Sequence, residues 1–193
     1  MKKIAYIIPG YGESLANQPV YKRVAKVFAE RGIEPVQVTI DWHHQKPSKF
    51  SDYVNQFLRQ RKKTKNAEIY VLGFSFGAVI AFLSAAKIKP NVLILCSLSP
   101  YFLEDQKKLK PEWFKWWQKE MADSDYLFSD LAPGITAKTY LIVGDQESPS
   151  CLARARQAKK QIANSTLIYA RGAKHRMRQK EYFETVKKLI SKL

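Results

Sequence analysis

Hydrophobic positions along the chain follow two alternating rhythms. Six short apolar runs, at residues 3–8, 35–40, 69–72, 91–96, 138–143 and 165–170, carry little charge and are bounded by Gly, Pro, Asn or Asp. Continuous runs of this length predict strands buried on both faces, as in a parallel sheet. Between the runs the spacing changes to three and four. Val20, Val24, Val27 and Phe28 mark one helical face, Tyr53, Val54, Phe57 and Leu58 another, and Tyr182, Phe183, Val186, Leu189, Ile190 and Leu193 a third. One predicted helix runs from a cap at Asn17 to about residue 31, where Gly32 ends it, and a second from Ser48 or Ser51 to about residue 61. Others follow from Ala78, from Pro149 to about residue 163, and along the C-terminal stripe.

Strands alternating with helices predict an α/β fold: a three-layer sandwich around a mainly parallel sheet of about six strands, within one domain spanning 1–193. Right-handed crossovers place the strand-to-helix loops on one edge of such a sheet. The loops after strands one, three, five and six therefore meet, and they carry Gly10–Tyr11, Ser75, Asp145 with Glu147, and His175. One long stretch, 97–137, has no strand pattern. At about 100–135 it is rich in aromatics and reads as a small lid-like insertion, with Tyr101, Trp113, Trp116 and Trp117 as candidate walls of a substrate pocket. Packing over the sheet edge and a partner surface are the other readings of the same residues.

Chemistry enters at Gly73-Phe74-Ser75-Phe76-Gly77, which sits between an apolar run and a buried helix. Strand, G-x-S-x-G, helix is the setting of a nucleophile elbow, where a tight turn lifts a serine hydroxyl above the sheet. A glycine-rich turn that binds a phosphate is the plain alternative. A serine needs a base, and the base needs an orienting acid. Of the three histidines, His43 and His44 lie together in a polar loop without further metal-ligand spacing, so no metal is expected. His175 follows the last strand and is the candidate base. Asp145 and Glu147 are both candidate acids.

The segments Val143-Gly144-Asp145-Gln146-Glu147-Ser148-Pro149 and Gly172-Ala173-Lys174-His175 resemble the acid and histidine segments of the α/β-hydrolase superfamily, in its small, nearly capless form. The resemblance implies an acid three residues after Gly144, hence Glu147 where Asp is usual, with Asp145 as the alternative. It also implies an oxyanion hole from the backbone N–H of Phe76 and of Tyr11, the latter in a Pro9-Gly10-Tyr11-Gly12 loop that has proline where the family often has histidine. The implied activity is a serine hydrolase that cleaves a carboxyl ester or thioester through an acyl-enzyme, with no cofactor.

Composition narrows this only in part. The 193 residues are 46% hydrophobic, which excludes a disordered chain, and no run is long enough to cross a bilayer. The basic start Met1-Lys2-Lys3 leads into a run that stops at Pro9-Gly10, so it reads as a strand and not a secretion signal. Cys96 and Cys151 suggest no disulfide framework, and a cytoplasmic location is expected. The net charge of +16 is spread over most helices, with local runs at 59–65, 107–110 and 171–180. Solvated helix faces account for it, and a surface that draws in an anionic substrate is the other reading. No motif for specific nucleic-acid recognition is present. Arg171, Lys174, Arg176 and Arg178 around His175 are expected to disfavour its protonated form. A binding protein for an acidic lipid or nucleic acid, built on a hydrolase scaffold with little turnover, remains the alternative function.

Overall fold

The structure, a computed structural model, describes residues 1–13, 18–43, 48–62, 66–106, 112, 115, 121, 123 and 125–193. Its centre is a sheet of six parallel strands, in the order β2-β1-β3-β4-β5-β6. The strands are β1 (Lys2–Ile8), β2 (Glu34–Gln37), β3 (Ala67–Phe74), β4 (Val92–Cys96), β5 (Lys138–Gly144) and β6 (Ser165–Ala170). The helices are α1 (Val20–Glu30), α2 (Phe50–Gln60), α3 (Phe76–Ile88), the short α4 (Leu103–Gln106) and α5 (Phe128–Leu131), then α6 (Pro149–Gln161) and α7 (Lys180–Ile190).

Successive side chains of a strand point to opposite faces, and here both faces are covered. Ile4, Tyr6 and Ile8 join Val71, Leu93 and Leu141 in a core shared with α2 and α3. Ala5 and Ile7 join Leu72, Ile94 and Ile142 in a second core under α1 and α7. The chain first steps from β1 outward to β2, then returns across β1 to β3 and continues the other way. The strand order therefore reverses between β1 and β3, and such a switch point leaves a crevice at the carboxyl ends of the strands.

Some boundaries differ from the sequence expectation, each for a local reason. Edge strand β2 stops at Gln37 rather than residue 40: Val38 still donates to Ile7, but the Thr39 and Asp41 amides are taken by the side chains of Gln60 and Gln56. Helix α2 begins at Phe50 because the remote Asp123 carboxylate accepts from the Phe50 and Ser51 amides, at 2.6 and 2.9 Å. Helix α3 starts at Phe76, two residues before the expected Ala78. Helix α1 starts at Val20, and the expected cap, Asn17, lies outside the described residues.

The ends of the aromatic insertion are tied to the scaffold. Phe102 and Phe128 pack on Phe82 of α3, at ring separations of 5.4 and 4.6 Å, and Glu104 accepts from the Phe128 amide. Trp113, Trp116 and Trp117 lie outside the described residues. Arg154 of α6 is buried at 1% exposure, an exception to the solvated basic helix faces. Its guanidinium pairs with Asp105 and lies over the Phe128 ring, 4.5 Å from the centroid. Asp105 also accepts from the Phe102 amide, so one buried ion pair holds the start of the insertion to α6. Burial pushes the Asp105 carboxyl up from its usual range even with Arg154 beside it. Removing one partner of a buried pair strands the other's charge, so Arg154→Ala is expected to cost about 3–5 kcal/mol in urea unfolding, and Arg154→Met less for its retained volume. A change under about 1 kcal/mol for Arg154→Ala would show the pair to be inessential.

Candidate active site

Strand β3 ends at Phe74, and Ser75 turns the chain with φ 56° and ψ −118°. That is a strained conformation for a residue with a Cβ, and the surroundings must enforce it. A Cβ at Gly73 would collide with the Gly77 carbonyl, and one at Gly77 with the carbonyls of Ile8 and Pro9. Gly73 thus lets α3 start directly on the end of β3, and Gly77 lets it lie against the end of β1. Its 13 residues point an N-terminus at Ser75, favouring negative charge there.

Hydrogen bonding carries the ladder one step past each strand. Ser75 N–H donates to Cys96 O at 2.9 Å, Ser97 N–H to Ile142 O at 2.7 Å, and Asp145 N–H to Ala170 O at 3.2 Å. The loops after β3, β4, β5 and β6 are therefore level with one another. Ser75 Oγ lies 2.9 Å from His175 Nε2, and His175 Nδ1 lies 2.6 Å from Glu147 Oε2. A carboxylate only accepts, so Nδ1 carries the proton and Nε2 faces the serine.

Of the two candidate acids, Glu147 alone is beside the imidazole. Asp145 turns away: it accepts from the Gly172 amide at 2.8 Å and faces the exposed Arg171 guanidinium at 3.8 Å. The Glu147 side chain has no solvent exposure. Its other oxygen accepts from Gly144 N–H at 2.7 Å and from Ser97 O–H at 2.6 Å. Tyr182 of α7 lies 2.6 Å from Ser97 Oγ, and its hydroxyl donates to the Ile142 carbonyl at 3.1 Å.

Sequence reasoning did not assign Ser97, Ser99, Tyr182 or Cys151 to this site. The loop after β4 reaches the same edge, and the charge-free run that ends in Ser97-Leu98-Ser99 is its signal in the chain. Tyr182 reads as core from its periodicity, and it is buried as well as hydrogen-bonded. Cys151, one turn into α6, places Sγ 3.9 Å from His175 Nδ1, and no spacing signal links the two.

Across the crevice, Tyr11 follows β1 and packs its ring 5.1 Å from that of Phe76. The Pro9–Gly12 loop is braced from behind: Gly10 N–H donates to Tyr21 at 3.0 Å and to Glu13 at 3.2 Å, and Tyr21 in turn donates to Glu13. Trp42 anchors the same loop through Nε1–H to Glu13 O at 3.1 Å. Tyr101 stacks obliquely on Phe76 at 4.7 Å, so Tyr11, Phe76, Tyr101 and Trp42 form an aromatic wall near Ser75.

Glu147, Cys151 and His175 form a group of potential metal ligands whose donor atoms lie within 4.8 Å of one another. Two ligands each about 2.0–2.2 Å from one ion sit on the order of 3 Å or more apart. The 2.6 Å Nδ1–Oε2 pair is a hydrogen bond with no room for an ion between. His43 is exposed and its amide donates to Asp41, while His44 lies outside the described residues.

Burial opposes charge on His175, but the Cys151 sulfur and the Glu147 carboxylate outweigh it and raise the imidazole from 6.5 to about 9. This reverses the expectation drawn from the basic neighbours. Arg171, Lys174, Arg176 and Arg178 are all exposed, where water screens them.

The fold belongs to a known class. The chain is a member of the alpha/beta hydrolase fold family, matched over residues 4–166, a span that includes Ser75 and Glu147. Among solved structures it is similar to Est1E from Butyrivibrio proteoclasticus, with a TM-score of 0.79 at 17% identity over 99% of this chain and 86% of that one. It is also similar to MGS-MChE2, an alpha/beta hydrolase enzyme from the metagenome of sediments from the lagoon of Mar Chica, Morocco, with a TM-score of 0.74 at 16% identity over 100% and 92%. A third is an esterase (EaEST) from Exiguobacterium antarcticum, with a TM-score of 0.69 at 17% identity over 98% and 91%. At these identities the likeness is one of fold. No curated protein matches the chain.

The His175 environment sets a measurable expectation. Its imidazole should titrate near pH 9 by NMR, and Glu147→Gln should bring it down toward or below 6.5, because burial then acts with one less negative neighbour. A wild-type value at or below 6.5 would contradict the electrostatic account.

Proposed function

We propose that the protein is a serine hydrolase that cleaves a carboxyl ester or thioester, with Ser75 as nucleophile, His175 as base and Glu147 as the acid. The observation that carries this reading is the unbroken chain from Ser75 Oγ through both nitrogens of His175 to the buried Glu147 carboxylate, at 2.9 and 2.6 Å. The esterase among the structural neighbours supports it as an analogy of fold.

In the proposed mechanism neutral His175 takes the Ser75 proton as Oγ bonds to the acyl carbon. Glu147 holds the ring in the tautomer that leaves Nε2 bare, then faces the imidazolium it stabilises. The N-terminus of α3 offers the Phe76 amide to the developing oxyanion, and the Tyr11 amide is the second donor. His175 then protonates the leaving alcohol or thiol, and water resolves the acyl-enzyme by the same route in reverse. Because the base must be neutral, kcat/KM should rise with pH and level off above about 9.

Substrate choice rests on two features. The wall of Tyr11, Trp42, Phe76 and Tyr101 suits an apolar acyl or aryl group, and the net charge of +16 favours an anionic one, such as an acyl thioester with a phosphorylated carrier. Two unpaired cysteines, Cys96 and Cys151, fit a reducing cytoplasm. The same charge keeps a second reading in play, a weakly catalytic binding protein for an acidic lipid or nucleic acid.

A fluorophosphonate probe tests the assignment: wild type should label and Ser75→Ala should not. With p-nitrophenyl esters of graded length beside acyl thioesters, Glu147→Gln should lower kcat by roughly a thousandfold and Asp145→Asn by less than about tenfold. The reverse order would move the acid to Asp145. A folded wild type that neither labels nor hydrolyses any ester, yet retains anionic liposomes or nucleic acid in a salt-dependent way, would favour the binding protein.

A further inference from the structure

The Ser75 hydroxyl has a second neighbour besides the imidazole. Ser99 Oγ lies 3.1 Å from Ser75 Oγ, and Ser99 is 3% exposed. Among the described residues, Ser75 is the one hydrogen-bond partner of that hydroxyl. Ser99 is fixed there by the turn after β4, where Ser97 takes φ 49° and the Ser99 carbonyl accepts from the Tyr101 amide at 3.0 Å.

Proton counting gives this contact a direction. Ser75 has one hydroxyl proton. While His175 carries its proton on Nδ1, facing Glu147, Nε2 is a bare acceptor and takes the Ser75 proton. The contact with Ser99 then forms only if Ser99 donates. When His175 is doubly protonated, Nε2–H donates to Ser75 instead, and the Ser75 proton turns toward Ser99. The pair therefore reverses with the state of the imidazole, and in the reactive state Ser99 points a donor at the nucleophilic oxygen.

We propose that Ser99 is a further catalytic residue, whose hydroxyl donates to Ser75 Oγ and stabilises the negative charge on that oxygen when the acyl-enzyme breaks down. This rests on the serine hydrolase reading above. In that step water gives a proton to His175 Nε2 and its oxygen bonds to the acyl carbon. The acyl carbon–Oγ bond then breaks, Nε2 returns the proton to Ser75 Oγ, and the carboxylic acid leaves. Charge collects on Oγ whenever bond breaking runs ahead of proton return, and a fixed donor within reach lowers that barrier. In acylation Oγ is the attacking atom and already accepts from Ser99 before it reacts, whereas the ester oxygen of the acyl-enzyme is a poor acceptor, so the gain is larger in deacylation.

The effect has a kinetic signature that packing alone would not produce. For a p-nitrophenyl ester, Ser99→Ala should lower kcat about tenfold, the scale of one hydrogen bond to a charged oxygen, and lower KM with it. kcat/KM should then change less than about threefold, and a pre-steady-state burst of p-nitrophenol should appear or grow as acyl-enzyme accumulates. Ser99→Thr, which keeps the hydroxyl, should restore kcat. Should Ser99→Ala not fold, Ser99→Cys, nearly the same size with a weaker donor, should show the same pattern to a smaller degree. An unchanged kcat, or equal losses in kcat and kcat/KM without a burst, would overturn the role of Ser99 while fluorophosphonate labelling of Ser75 leaves the hydrolase reading standing. A wild type that neither labels nor turns over would overturn both.

Discussion

The site depends on one desolvated carboxylate. Glu147 is cut off from water, and an ionised acid in that position must find its donors within the protein. It finds three: the Gly144 amide, the Ser97 hydroxyl and the His175 ring. Each comes from a different part of the chain, the end of β5, the turn after β4 and the loop after β6. The carboxylate therefore draws these loops into register, and the imidazole it orients then meets Ser75 from the loop after β3. Tyr182 extends the same network into α7, so a core helix is also part of the support behind the site.

The sheet makes this convergence possible. Parallel strands end on one edge, and the reversal of strand order between β1 and β3 opens a crevice where Ser75 and the Pro9–Gly12 loop face each other. Two glycines remove the side chains that would hold α3 away from β3 and β1. On the other side, the aromatic wall is continuous with the core: Trp42 and Phe76 belong to it, and Tyr11 and Tyr101 pack against it. Further out, Arg154 and Asp105 bind the start of the aromatic insertion to α6 through a pair that is expensive to bury and costly to break.

The local pattern was legible from the residues alone. Apolar runs and stripes report burial directly, so all six strands and the large helices follow from periodicity, and Gly73-Phe74-Ser75-Phe76-Gly77 marks the turn because a Cβ at either glycine would collide with neighbouring backbone. Topology rules bring Ser75, Glu147 or Asp145, and His175 to one edge. What the sequence determined, then, is the parallel α/β sheet and the set of chemically capable side chains above it. Only the tertiary structure decided which of two acids two residues apart turns inward, that Ser97 and Ser99 flank the acid and the nucleophile, that Cys151 and Glu147 raise the imidazole while nearby arginines do not lower it, and that Arg154 is buried. Those outcomes depend on distances between segments 24 to 100 residues apart and on which of them exclude water, quantities that neither spacing nor composition records.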